Sequence, residues 1–190
     1  MDQDPIPMSV SGGSVIPTQT PAQMTVALTR LQPVTLVIAL DENGHALGEM
    51  YVDDGETPIP QDNSLASATI QFEVTNGQNV TGQAVLSGGA TAAGLGQFHS
   101  AVLDSVVVLG LNYGVPGGEL GSGAKATALS ALNVNGVSVS LTGASVNGTQ
   151  GQDPATGAAW VIDSATGSLT LSGLKMELFG QWFVQWVTSK

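Results

Sequence analysis

Hydrophobic and polar residues alternate with a period of two along most of the chain, and β-branched residues cluster in the alternating segments. This period is typical of β-strands with one buried face, because successive side chains point to opposite faces of a sheet. No segment longer than about ten residues follows the 3.6-residue period of a helix. The pattern predicts strands at Ile6–Val10, Ser14–Ile16, Met24–Leu31, Val34–Leu40, Ala46–Val52, Ala68–Thr75, Asn79–Leu86, Leu103–Leu109, Leu132–Val139, Ala158–Ile162, Ser168–Leu171 and Trp182–Val187.

Short strands separated by Gly, Asn, Asp and Pro are typical of an all-β domain. The clearest hairpin joins Val34–Leu40 to Ala46–Val52 through Asp41-Glu42-Asn43-Gly44, since Asn-Gly tolerates positive φ at both turn positions. We therefore predict a two-sheet antiparallel β-sandwich with an N-terminal extra strand segment. Residues 88–96 and 114–128 are rich in small residues and predict surface loops, the second being the more mobile.

Charge excludes several classes of partner. The chain carries 15 acidic and 4 basic side chains, a formal charge of −11, and no Lys or Arg lies between Arg30 and Lys125. Such a surface repels phosphate backbones and anionic lipids, so we expect no nucleic-acid and no membrane partner. No apolar run reaches the roughly 18 residues that span a bilayer. With no Cys, thiolate metal sites and disulfides are excluded, and no motif predicts a cofactor.

An acidic cluster between residues 41 and 62 is the candidate for metal binding. Asp53, Asp54 and Glu56 could together hold Ca²⁺, although their spacing is not that of a Ca²⁺ loop. Two carboxylates of the cluster could instead act as general acid and base, or the acids could simply form turns. His45 and His99 have no partner at metal-ligand spacing.

Aromatic residues make up 5% of the chain, and they allow two interpretations. Trp160, Trp182 and Trp186 could present flat faces on which an oligosaccharide stacks, or they could fill the core. Trp182 and Trp186 share parity on a strand, so we expect them on one sheet face and Phe183 on the other.

Two sequons, Asn79-Val80-Thr81 and Asn147-Gly148-Thr149, predict N-glycosylation candidates at Asn79 and Asn147. They would have meaning only in the secretory pathway, and they fit a secreted, lysosomal or vacuolar parent protein.

Several segments, in order along the chain, resemble the C-terminal part of glycoside hydrolase family 31. Ile6–Gln19 resembles a strand that closes the family's proximal β domain, and Arg30–Gly44 resembles the start of its distal β domain. GEMYVDDGE at Gly48–Glu56 is similar to the family signature GELFWDDGE. Weaker similarities follow at Leu103–Gly110, Leu132–Val139, Leu169–Leu171 and Val184–Trp186. Ser11 stands where the family usually has Arg, and Val52 where it has Trp.

The resemblance implies two parts. Residues 1–32 would be the last strands of a proximal β domain and a linker, and residues 33–190 would be the distal β-sandwich domain. Family members are retaining α-glucosidases whose two carboxyl groups lie in a (β/α)8 barrel of about 250 residues. This chain has nothing resembling the barrel, so the resemblance implies no catalytic residue here and no enzymatic activity of the chain alone. Its expected partners are the barrel and proximal domain of the same parent polypeptide. Without its own domain, the segment Ile6–Gln19 is expected to be an unpaired strand if the chain is a fragment, and to pack against the sandwich if the chain is an independent protein. The alternative is a free-standing carbohydrate-binding or cell-surface module.

Overall fold

The computed structural model describes residues 9–19, 23–53, 66–111, 128–141, 150–163 and 166–189. Thirteen strands and two short helices follow one another in these residues: β1 Ser14–Gln19, α1 Val26–Arg30, β2 Val34–Ala39, β3 Ala46–Val52, β4 Ser67–Thr75, β5 Asn79–Ser87, α2 Ala92–Leu95, β6 Val102–Leu109, β7 Ala128–Val134, β8 Val137–Ser138, β9 Gln150–Gln152, β10 Ala159–Asp163, β11 Ser168–Ser172, β12 Met176–Glu177 and β13 Gln181–Ser189. The all-β prediction is confirmed. The strand predicted at Ile6–Val10 and the loop predicted at 114–128 lie mainly outside the described residues.

The strands form one continuous hydrogen-bonded path in the order β8-β7-β13-β5-β4-β3-β1-β2-β6-β11-β10-β9, with β12 paired to β6. One hydrophobic cluster includes buried residues from strands far apart on this path, such as Trp186 in β13 and Trp160 in β10. The described helices add only one buried side chain, Leu95, so the strands and the segments that connect them supply the cover over the inner face of the sheet. This arrangement fits a sandwich, in which two parts of the sheet enclose one core.

Two pairings correct the antiparallel prediction. β1 lies between β2 and β3, antiparallel to β2 and parallel to β3, and β2 is parallel to β6. The predicted hairpin between β2 and β3 is therefore wrong, although its turn forms: the amides of Asn43 and His45 each donate to Asp41 Oδ1 at 2.8 Å. β1 is an integral strand, because all six of its residues pair with β2. The expectation that its segment lacks a partner is wrong for residues 14–19.

Three local predictions are also corrected. Met24–Leu31 contains the one-turn helix α1, because the Thr25 side chain caps the Leu28 amide and so favours a helical turn. Residues 92–95 form α2, capped by Thr91, with Leu95 anchored in the core. Leu132–Val139 is not one strand, since Asn135 and Gly136 have φ of 51° and 84° and turn the chain from β7 into β8.

Candidate functional site

The three tryptophans proposed for sugar stacking are all core residues. Trp160, Trp182 and Trp186 are 1%, 4% and 0% exposed. The stacking assignment is therefore corrected in favour of burial, because a sugar cannot reach these ring faces. The parity prediction is confirmed: Trp182 and Trp186 are buried on one face, whereas Phe183 is 36% exposed on the other.

Of the three candidate metal ligands, Asp53 lies among the described residues, whereas Asp54 and Glu56 lie outside them. Asp53 follows β3, and its charge acts on His99. Across the residues that the structure describes, no group of three His, Asp or Glu side chains could hold a metal ion. Metal binding by Asp53, Asp54 and Glu56 stays a prediction.

His99 is the buried titratable side chain of this region. It is 7% exposed, and its Nδ1 has no hydrogen-bond partner among the described residues. Burial lowers the pKa of His99 from its ordinary value, the positive charge of Arg30 lowers it further, and Asp53 opposes both. The imidazole is therefore held neutral near pH 7, which fits a core residue better than a cationic binding group.

Asp153 and Asp41 organise turns by accepting backbone hydrogen bonds. Asp153 Oδ1 accepts from the Ala155 amide at 2.9 Å, and its Oδ2 accepts from the Thr156 hydroxyl at 2.9 Å. The Ala155 amide, and next the Thr156 hydroxyl, lower the pKa of Asp153, while the His45 amide chiefly lowers the pKa of Asp41. These carboxylates are used structurally, so neither is available as a general acid near pH 7.

The two sequons differ in what the structure shows. Asn79 is the first residue of β5, partly exposed, and lies between Thr75 of β4 and Gln185 of β13. Asn147 lies outside the described residues. N-glycosylation of either residue stays a prediction.

Exposed apolar side chains lie in α1 and directly beside it, and the helix contributes no residue to the core. We call this surface the α1 patch and define it by four residues whose exposures range from 46% to 99%: Met24, Val26, Leu28 and Leu31. Its position is fixed from two sides, because the Gln19 side chain of β1 and the Ser100 amide both donate to the Arg30 carbonyl, at 2.8 and 2.7 Å.

Two open grooves lie next to each other on the outer face of β3, β4, β5 and β13. The first, of 430 Å³, is lined by Leu47, Gly48, Glu49, Gln71, Phe72 and Glu73. The second, of 590 Å³, is lined by Thr81, Gly82, Gln83, Asn135, Gln181, Trp182 and Phe183. Phe72 and Trp182 have buried side chains, so their main chain contributes the groove floors.

Strand register joins the two grooves into one feature, which we call the cross-strand trough. One wall is a polar row in which neighbours pair directly across the strands: Glu49, Gln71, Gln83 and Gln181. The other wall is the next outward row: Leu47, Glu73, Thr81 and Phe183. This surface could not be predicted from the sequence. Alternation marks each of these residues as outward-facing, but cross-strand neighbours cannot be read from it.

The comparisons with known proteins give both sequence and fold relatives. Glucoamylase 1 of Schwanniomyces occidentalis is 43% identical over 65 residues, and the α-glucosidase of Mucor javanicus is 52% identical over 52 residues. Intestinal sucrase-isomaltase of Rattus norvegicus is 27% identical over 183 residues, or 96% of this chain. No family model matches the chain.

Solved structures share the fold over 93% of the chain. The glucosidase II α subunit superposes with a TM-score of 0.57 at 14% identity, with 16% of that chain covered. A GH31 dextranase of Flavobacterium johnsoniae superposes with a TM-score of 0.51 at 14% identity, with 19% of that chain covered. The resemblance to the C-terminal region of family 31 glycoside hydrolases is confirmed.

The chain spans only a small part of the length of the relatives that it matches. It spans 7%, 6% and 8% of the lengths of the glucoamylase, the α-glucosidase and sucrase-isomaltase. Among the described residues, no helix is long and apolar enough to cross a membrane.

Proposed function

We propose that this chain is the non-catalytic C-terminal β-sandwich region of a family 31 α-glucosidase-like parent protein acting in carbohydrate metabolism. In that parent it supports a catalytic barrel by packing against the barrel and the proximal β domain. The share of 6–8% of the relatives' length leaves room for both domains elsewhere in such a polypeptide. The activity, a retaining hydrolysis of α-glucosides, would belong to the parent's barrel carboxylates.

The observation that carries this proposal is the α1 patch. Met24 and Val26 are 99% and 71% exposed, although burying such side chains is favourable at roughly 25 cal/mol per Å² of apolar surface. A cluster of exposed apolar side chains commonly marks an interface. The patch also lies between β1 and β2, at the boundary proposed between residues 1–32 and 33–190.

The native size of the polypeptide tests the proposal directly. An antibody raised against this chain should detect, in extracts of its source, a band several-fold larger than 19.2 kDa. The larger species should hydrolyse maltose or 4-nitrophenyl α-glucoside, whereas the purified 190-residue chain should not. A native band at 19.2 kDa would refute the proposal and favour the free-standing carbohydrate-binding module.

Variants test whether the α1 patch is the interface. In the larger species, Val26→Gln combined with Leu28→Gln should lower the melting temperature, because both side chains would be buried against another domain. Val137→Gln is the matched control, since Val137 is 60% exposed in the short strand β8, which lies at an end of the sheet path. In the isolated chain all three changes should have little effect. Equal effects of patch and control variants in the larger species would contradict this interface.

A further inference from the structure

The amide groups of the cross-strand trough are available for a ligand. Gln71, Gln83 and Gln181 are exposed, and none of the hydrogen bonds among the described residues uses their side chains. A Gln amide offers two N–H donors and a carbonyl acceptor. Three such groups in one row can bind adjacent hydroxyl groups, each of which both donates and accepts.

Charge excludes anionic ligands from the trough. The charged side chains of the trough walls are Glu49 and Glu73, and β3, β4, β5 and β13 contain no Lys or Arg within their bounds. With the net charge of −11, these carboxylates repel phosphates, sulfates and acidic sugars. The three amides of the row favour a ligand rich in hydroxyl groups, and the carboxylates require that it carry no negative charge.

The trough has the shape and the apolar surface that an extended sugar chain requires. Its polar wall crosses four strands, which at a spacing of about 4.8 Å gives a length of about 14 Å. Phe183 is 36% exposed in the facing wall, and Tyr51, 58% exposed, lies two residues beyond Glu49 on β3. An aromatic ring offers an apolar face to the C–H groups of a sugar ring. Because every wall residue lies on a paired strand, the surface is largely preorganised.

We propose that the cross-strand trough binds a neutral oligosaccharide, which lies across β3, β4, β5 and β13. Gln71, Gln83 and Gln181 bind its hydroxyl groups, and Phe183 packs against a sugar ring. The choice of α-linked glucans as the first probes rests on the function proposed above. The trough and its preference for a hydroxyl-rich ligand without negative charge rest on the strand register and the residues of its walls.

The experiment uses the 190-residue chain and follows the side-chain amide signals of its glutamines by NMR during titration with maltohexaose, isomaltohexaose, cellohexaose or a heparin hexasaccharide. We expect the signals of Gln83 and Gln181 to shift with at least one neutral hexasaccharide and not with heparin. Gln185 should not shift, because it lies on β13 and the same face but outside both grooves. Binding of cellohexaose alone would support the trough and contradict the choice of α-glucans.

Matched variants then separate the trough from the rest of the sheet face. Gln181→Ala should raise the Kd of the bound hexasaccharide about fivefold to tenfold, the loss expected for about one hydrogen bond of 1–1.4 kcal/mol. Gln185→Ala should change the Kd by less than about twofold. No shift with any neutral hexasaccharide, equal binding of heparin, or equal losses in the two variants would overturn the proposal. The proposal would also be overturned if the chain self-associates through this face, so that a second copy covers the glutamine side chains. None of these outcomes depends on the size of the native polypeptide.

Discussion

The Trp182 indole lies directly over Gly82, its cross-strand partner on β5. A Cβ added to Gly82 would be 2.2 Å from both Cε2 and Cζ2 of the indole. On the far side of Gly82, Phe72 of β4 pairs with it in register, and the Phe72 and Trp182 rings are 6.1 Å apart at 42°. The glycine thus provides the space in which two large rings meet across three strands.

Gly82→Ala should therefore destabilise the chain. The Trp182 ring is buried and would have to move away from the new Cβ, so we expect a loss of about 1–3 kcal/mol in the free energy of unfolding, the usual range for an overpacked core. Urea denaturation followed by tryptophan fluorescence measures this loss. Gly180→Ala is the control, because a Cβ there meets no atom within 4 Å. Equal stability of the two variants would contradict the described position of Trp182.

Gly48→Ala should weaken the insertion of β1 between β2 and β3. A Cβ at Gly48 would lie 2.2 Å from the Val15 carbonyl oxygen and 2.8 Å from its Cβ, and a main-chain oxygen cannot move without shifting the strand. We expect a lower melting temperature and faster proteolytic cleavage within residues 9–19, measured by limited proteolysis with mass spectrometry. Gly180→Ala again serves as the control. Unchanged protection of this segment in Gly48→Ala would show that β1 does not lie against β3.

The buried His99 should make stability fall as the pH drops below neutral. Burial lowers the pKa of His99 in the folded state, whereas in the unfolded chain it returns to about 6.5. Between these two values the unfolded state binds more protons, so the free energy of unfolding decreases as the pH falls through this window. Arg30 strengthens the effect and Asp53 reduces it.

His99→Gln should flatten this part of the profile in urea denaturation at pH 5 to 8. Gly180→Ala, which removes no titratable group, is the control and should keep the slope of the unmodified chain. The lowered pKa values of Asp41 and Asp153 act in a separate window, because their stabilisation is lost only as the pH falls below about 3.8. An unchanged slope in His99→Gln would contradict the neutral, buried state of His99.

Most strands could be predicted from the sequence because alternation reports burial on one face of a strand. β4 and β5 lie within one residue of the predicted bounds, and the Asn76-Gly77 turn between them has the positive φ values, 54° and 60°, that an Asn-Gly hairpin requires. α1 was not predictable in this way, because its apolar residues are exposed and the local Thr25 cap, rather than a buried face, decides its conformation.

Partner choice between strands was not predictable, and the candidate surfaces depend on it. The turn at Asp41–Gly44 indicated that β2 and β3 pair with each other, but β1 from earlier in the chain takes the place between them. For the same reason the sequence led to tryptophans as sugar-binding residues, whereas burial removes all three from the surface. The glutamine row of the cross-strand trough exists only because four separate strands align in one register.

The sequence by itself determined the β class, the faces on which Trp182 and Phe183 lie, the acidic charge and the resemblance to family 31. These properties follow from local periodicity, composition and short motifs, each of which is contained in neighbouring residues. Only the tertiary structure decided which strands pair, that β1 is an internal strand, and that Gln71, Gln83 and Gln181 form one wall. Those features arise from contacts between residues distant in sequence, such as Gly48 against Val15 and Gly82 against Trp182, where the missing side chain makes room for the neighbouring strand.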